Sequence, residues 1–133
     1  MTQAHRPHRI LVVDDEELLR WSICTCLEEA GFDVLEAGSV SEGVEVAIGP
    51  LDAAVVDYQL PDATGIELVA ALRRTYPDLH VVMMTAYRTA GLAALAERAG
   101  IDLVLDKPFV VKGLLRRIRE ALSGRSGTSE CAR

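Results

Sequence analysis

Two rhythms of apolar residues alternate along the chain. Short unbroken runs, the clearest being "ILVV" at 10–13 and "AAVV" at 53–56, are β-branched and too brief for helices. Such runs read as strands buried on both faces, and the pattern predicts five of them, near 9–14, 32–36, 52–57, 79–84 and 101–105. Between them, apolar residues recur at helical spacing. The first helix, about 17–30, turns Leu19, Ile23, Cys26, Leu27 and Ala30 to one side, and Gly31 supplies its C-terminal stop. A weak helix near 40–48 is interrupted by Gly43, and a better one at 65–75 carries Ile66, Val69 and Leu72. The segment 89–99, "RTAGLAALAERA" in its neighbourhood, is built from small residues and buries little per residue, which predicts one of the least stable elements. The last helix, 110–122, aligns Val111, Leu114, Leu115, Ile118 and Leu122, leaving Arg116, Arg117 and Arg119 on solvated faces.

Strand and helix in strict alternation mark repeated βαβ units. Right-handed crossovers then give an α/β fold: a doubly wound, five-stranded parallel sheet with helices on both faces. Parallel strands send all their C-terminal residues to one edge, the edge where ligands bind in such sheets. Asp14 and Asp15 end the first strand, Asp57 the third, Thr85 the fourth, and Lys107 follows the fifth. Each alone is ordinary, as a helix cap, a turn former or a snorkelling lysine. Their convergence on one edge is what points to a site. Glu16 and Glu17, by contrast, read as solvated acids favoured by the dipole of the following helix.

Charge and composition narrow the class. The 133 residues fit one domain, and a net charge of −6 disfavours direct nucleic-acid binding, which depends on clustered Lys and Arg. The N-terminal "MTQAHRPHR" lacks a signal-peptide core and no run is long enough for a membrane helix, so a cytoplasmic protein with no membrane partner is expected. Cys24 and Cys26 lie on different faces of one helix and Cys131 near the C-terminus, a pattern of neither disulfides nor zinc. His5, His8 and His80 form no ligand pattern and read as surface residues. The expected organisation is an N-terminal extension over 1–8, one domain over 9–122, and a flexible tail or linker start over 123–133, where "SGRSGTSECAR" is rich in Gly and Ser.

Three carboxylates with few neutral ligands suit a hard cation that keeps several waters, hence Mg2+ rather than zinc. A metal-neutralised carboxylate such as Asp57 can attack phosphorus and form an acyl phosphate, with a Lys and a hydroxyl on the remaining oxygens. Lys107 would hold the acids together before transfer and the phosphoryl group after it. A cis bond before Pro108 would fix that loop.

The stretches "VVDDE", "VVDYQLPDATGIEL", "MMTAY" and "DKPF", in this order and spacing over residues 9–122, resemble the receiver domain of bacterial two-component response regulators. The resemblance implies a flavodoxin-like strand order 2-1-3-4-5 and a function: a phosphoryl group is accepted from the phosphohistidine of a sensor histidine kinase, or from a phosphotransfer protein. It implies Asp57 as phosphoacceptor and Asp15 as a direct Mg2+ ligand, with Asp14 acting mainly through water and the backbone carbonyl of Gln59 completing the protein's share. Thr85 would be the hydroxyl switch, Tyr87 the aromatic that moves with it, and Lys107 the phosphate contact. Leu60 stands where the family usually has Met, a volume-conserving change. No enzyme is implied. The surface over 89–122 is the expected face for a downstream protein or for a dimer.

Two other readings share these residues. A haloacid-dehalogenase-type phosphatase would also use an Asp nucleophile, Mg2+, a Thr and a Lys, but needs an acid where Gln59 stands, and a cap domain. A pseudo-receiver scaffold would keep the fold without phosphorylation.

Overall fold

The computed structural model describes residues 6–124. The elements follow the order β1 (Arg9–Val13), α1 (Glu17–Glu29), β2 (Asp33–Ala37), α2 (Val40–Val46), β3 (Ala53–Asp57), α3 (Gly65–Thr75), β4 (His80–Thr85), α4 (Ala90–Arg98), β5 (Leu103–Asp106) and α5 (Val111–Ser123). All five strands are parallel in one sheet of order β2-β1-β3-β4-β5. The doubly wound sheet expected from the sequence is the one formed, each boundary lying within about two residues of its expected place.

Period-two alternation divides the strand residues between two cores. Leu11, Val13, Ala54, Val56, Val81 and Met83 pack with Leu68, Val69 and Leu72 of α3, Leu92 of α4, and Val40 and Val46 of α2. Ile10, Val12, Ala53, Val55, Val82 and Met84 face the other way, onto Ile23, Cys24 and Leu27 of α1 and Leu114, Ile118 and Leu122 of α5. This explains the unbroken apolar runs: every position in the central strands is inside, whichever way it points. Each fully buried Leu or Ile contributes roughly 1.5–3 kcal/mol.

Several sequence readings need correction. On α1 it is Cys24 that is buried, while Cys26 is only half-buried, because α1 presents its 23–24–27 edge to the sheet. On α3, Leu68 joins Val69 and Leu72 in the core while Ile66 stays half-buried. Gly43 does not interrupt α2: it is buried, and a Cβ there would come within 3.1 Å of a Leu68 methyl. The glycine lets α2 lie close against α3. Gly31 does end α1, at a φ of +97°. His8 and His80 are not free surface groups but sit half-buried beside Asp52 and Asp102, at 3.7 and 3.6 Å. Those two aspartates also accept backbone N–H groups of Arg9 and Val81 at the sheet's other edge. Arg6 makes a two-pronged bond to Asp52 at 2.8 and 3.0 Å, so residues expected in an extension are tied to the domain. α5 runs through Ser123, so the expected tail lies, beyond Gly124, outside the described residues, as do His5 and Cys131.

Burial pushes the Cys24 thiol up to about 12, with the charges of Glu36 and Glu28 acting in the same direction. Alkylation of the native protein near about pH 8, mapped by peptide mass, should therefore modify Cys26 and spare Cys24, because the thiolate is the reactive form. Equal labelling of the two would contradict the packing of α1.

Candidate functional site

Parallel register carries the chemistry to one edge. β1 and β3 pair Val13 with Val56, so Asp14 and Asp57 emerge side by side, and β4 pairs Met84 with Asp57 and ends at Thr85. The loop after β5 then delivers Lys107 through a backbone bond from its N–H to the Thr85 carbonyl, 2.8 Å. The following Lys107–Pro108 bond is cis, the less common of the two forms open to that loop.

Asp14 is fully buried, Asp57 is 7% exposed and Thr85 4%, whereas Asp15 is exposed. One carboxylate oxygen from each of Asp14, Asp15 and Asp57 lies within 4.8 Å of the others. At that spacing each pair of charges repels by about 3–4 kcal/mol at an effective dielectric near 20. Lys107 Nζ offsets part of it, donating to Asp14 Oδ2 at 3.1 Å, Asp57 Oδ2 at 3.0 Å and Glu16 Oε1 at 2.8 Å. Burial alone would lower the Lys107 ammonium; its hydrogen bonds to Glu16 and Asp57 and the charges of Asp57 and Asp14 outweigh that and hold it above its usual range. Burial drives the Asp57 carboxyl the other way from an ordinary salt-bridged acid, up to about 6. The Lys107 hydrogen bond opposes this shift and the neighbouring Asp14 charge adds to it. Three acids facing one ammonium remain under-neutralised, and an all-oxygen set of this kind fits a hard divalent cation.

The Thr85 hydroxyl is held locally, accepting from Tyr87 N–H at 3.1 Å and lying 3.3 Å from the Tyr87 carbonyl. Tyr87 itself is 80% exposed. An open cleft of about 1200 Å³ runs from Asp15, Asp57 and Lys107 past Thr85 to Tyr87, Leu92 and Leu95. Gln59 lies on the cleft wall in the loop between β3 and α3, its N–H 3.4 Å from Asp57 Oδ1. Gly65 closes that loop: a Cβ there would fall on the Asp57 carbonyl oxygen.

The structure thus brings together Asp14, Asp15, Asp57, Gln59, Thr85 and Lys107, with Tyr87 at the far end of the cleft. It also adds groups that the sequence reading passed over. Glu16, read as a solvated acid at the start of the helix, is exposed as expected but also contacts Lys107, because the β1–α1 turn, held by Glu16 N–H on Asp14 Oδ1 at 2.9 Å, places it at the mouth of the site. Arg20 donates to the Asp14 carbonyl at 2.7 Å and to Glu36 at 2.9 Å, steadying the acid loop from α1. Arg88 bridges from the β4–α4 loop to Asp106 at 3.1 Å and to the Val104 carbonyl at 2.8 Å. No periodicity marks such arginines, since their partners lie on other elements.

The family model described as the response regulator receiver domain matches residues 10–119. The chain belongs to that family. Among receiver-containing relatives, response regulator MprA of Mycolicibacterium vanbaalenii is 36% identical over 117 residues, 87% of this chain and 51% of that protein. The chain spans about half the length of this relative and of the KDP operon transcriptional regulatory protein KdpE of Escherichia coli. A solved CheY-like receiver domain protein from Methanospirillum hungatei superposes with a TM-score of 0.82 at 30% identity, covering 93% of this chain and 98% of that one. The beryllofluoride-activated NtrC4 receiver domain dimer gives 0.79 at 30% identity, over 87% and 97% of the two chains. Receiver domains are generally non-catalytic signalling modules that bind Mg2+ at an acidic pocket and interact with histidine kinases and downstream effectors. Among the described residues, no helix of this receiver is long and apolar enough to cross a membrane.

Proposed function

We propose that this receiver accepts a phosphoryl group on Asp57 from the phosphohistidine of a histidine kinase or phosphotransfer protein, and reads it out through the α4–β5–α5 side. The observation that carries the reading is the shared contact of Lys107 with Asp57 and Asp14 beside the exposed Asp15. An Asp57 carboxylate oxygen attacks phosphorus, the bond from phosphorus to the donor imidazole nitrogen breaks, and the imidazole leaves with its electron pair and takes up a proton. Asp15, Asp14, Asp57 and the Gln59 carbonyl are the groups assigned to hold Mg2+, which when bound neutralises the acids and the phosphoryl oxygens. Lys107 holds its charge through the transfer and then contacts the acyl phosphate.

A group of about −2 charge on Asp57 recruits donors. Lys107 already contacts Asp57 and Thr85 lines the same cleft, and their backbones are joined, so drawing both inward moves the start of α4 with the end of β5. Only Leu92 and Ala96 of α4 are buried, so little packing opposes a shift of this helix. Tyr87 and Leu95 stand exposed along the same side, and we assign this side to a downstream protein or to a second copy; the similar beryllofluoride-activated NtrC4 receiver domain is a dimer.

Intact-mass spectrometry after incubation with acetyl phosphate tests the reading. One phosphoryl increment is expected with Mg2+, none after chelation, and peptide mapping should place it on Asp57. No increment, or an increment on another residue, would overturn it.

A further inference from the structure

The start of α2 is capped by a carboxylate from another loop. The first N–H groups of a helix have no partner inside it. In α2 all three are satisfied from outside: Glu42 N–H by the Ser39 hydroxyl at 3.1 Å, and Val40 and Ser41 N–H by the two oxygens of one carboxylate, Asp62, at 2.8 and 2.9 Å. Asp62 is not a near neighbour in sequence. It sits at the tip of the β3–α3 loop, five residues beyond Asp57, and these two bonds, Ser41 first, hold its carboxyl below the usual range.

The loop between them is a stiff ladder. Gly65 N–H donates to the Tyr58 carbonyl at 2.7 Å, Gln59 pairs with Thr64, and Leu60 N–H donates to the Ala63 carbonyl at 3.2 Å around the Pro61–Asp62 turn. A ladder closed at its base moves as one piece, so a restraint at its tip is felt at its root. At the root are Gln59, whose N–H reaches Asp57 Oδ1, and Asp57 itself. α2 is a fixed anchor for that restraint because Gly43 lies against Leu68 and Val13, with Val40 and Val46 packed on the core.

We infer that Asp62 is a positioning residue for phosphoryl transfer: by capping α2 it clamps the β3–α3 loop and so sets where Gln59 stands relative to Asp57. The inference rests on the reading of Asp57 as phosphoacceptor. The Asp62 carboxylate bonds to α2 and not to Asp14, Asp15, Asp57 or Lys107, so it acts through the loop.

The test compares Asp62→Ala, Asp62→Asn and Ser39→Ala in the full chain, measuring Mg2+ affinity, the rate of phosphorylation by acetyl phosphate, and amide exchange at Val40, Ser41 and Gln59. Ser39→Ala removes the other cap of the same helix without touching the loop. Asp62→Ala should weaken Mg2+ binding and slow phosphorylation about three- to tenfold and speed exchange at Gln59. Asp62→Asn, with one acceptor oxygen in place of two, should fall between it and the wild type. Ser39→Ala should stay within about twofold of wild type in Mg2+ affinity and rate despite a similar loss of α2 stability. Wild-type affinity and Gln59 exchange in Asp62→Ala would overturn the clamp, as would equal losses in Ser39→Ala. A wild-type protein that takes no phosphoryl group would instead overturn the reading of Asp57, leaving the clamp to be decided by the exchange and Mg2+ data.

Discussion

Asp57→Asn should abolish phosphoryl acceptance and, in metal-free buffer near neutral pH, make the protein more stable than the wild type by roughly 1–3 kcal/mol. The first effect is the loss of the nucleophilic carboxylate, and the second comes from its burial. The Asp57 carboxyl titrates at about 6 in the folded chain against 3.8 for the ordinary group. Between those values the native state binds more protons than the unfolded state. Stability from this group is therefore complete below the lower value, falls as pH rises through the window, and stays at its full cost above the upper one. An amide has the same shape and carries no charge, so it escapes that cost while its oxygen can still accept from Lys107. Thermal melts in a chelator should show Asp57→Asn ahead by roughly 5–10 °C near pH 7.5, with the gap closing toward pH 4. A gap that widened on acidification would mean that Asp57 is stabilised as an anion and that burial does not dominate. Mg2+ should narrow the gap at neutral pH, since it binds the carboxylate form and favours the wild type.

Lys107→Met should have the opposite sign and a larger size, destabilising the metal-free protein by about 3 kcal/mol at neutral pH. Met retains much of the apolar stem but removes the charge that faces Asp14 and Asp57 at 3.1 and 3.0 Å. Asp14 is fully buried and cannot turn to water for compensation. Three diagnostic consequences follow from charge rather than packing. The loss should shrink as pH falls through the Asp57 range, Mg2+ should raise the melting temperature of the variant more than that of the wild type, and adding Asp57→Asn should recover part of the loss. Urea titrations of the single and double variants give the coupling directly. Strict additivity, or a loss independent of pH and Mg2+, would assign Lys107 to packing alone.

Read from the residues alone, the apolar rhythm was sufficient to place all ten elements, since strands buried on both faces must be continuous in hydrophobicity and helices on a sheet must be amphipathic. Parallel alternation then dictated that Asp14, Asp57, Thr85 and Lys107 share an edge, because crossovers return every strand in the same direction. What tertiary structure alone decided lies in contacts between elements. Gly43 is legible as a helix breaker and is in fact a close-packing site, since only the position of Leu68 on α3 gives the missing side chain a purpose. Cys24 rather than Cys26 is inside because the rotation of α1 about its axis is set by the sheet and by α5, not by α1's own spacing. Glu16, still exposed, reaches Lys107, and Asp62 reaches back to α2, across separations of 91 and 22 residues. Local sequence encodes which groups are present and which way the backbone carries them. The choice of partner for a polar side chain depends on distances that exist only once the sheet has brought the loops together.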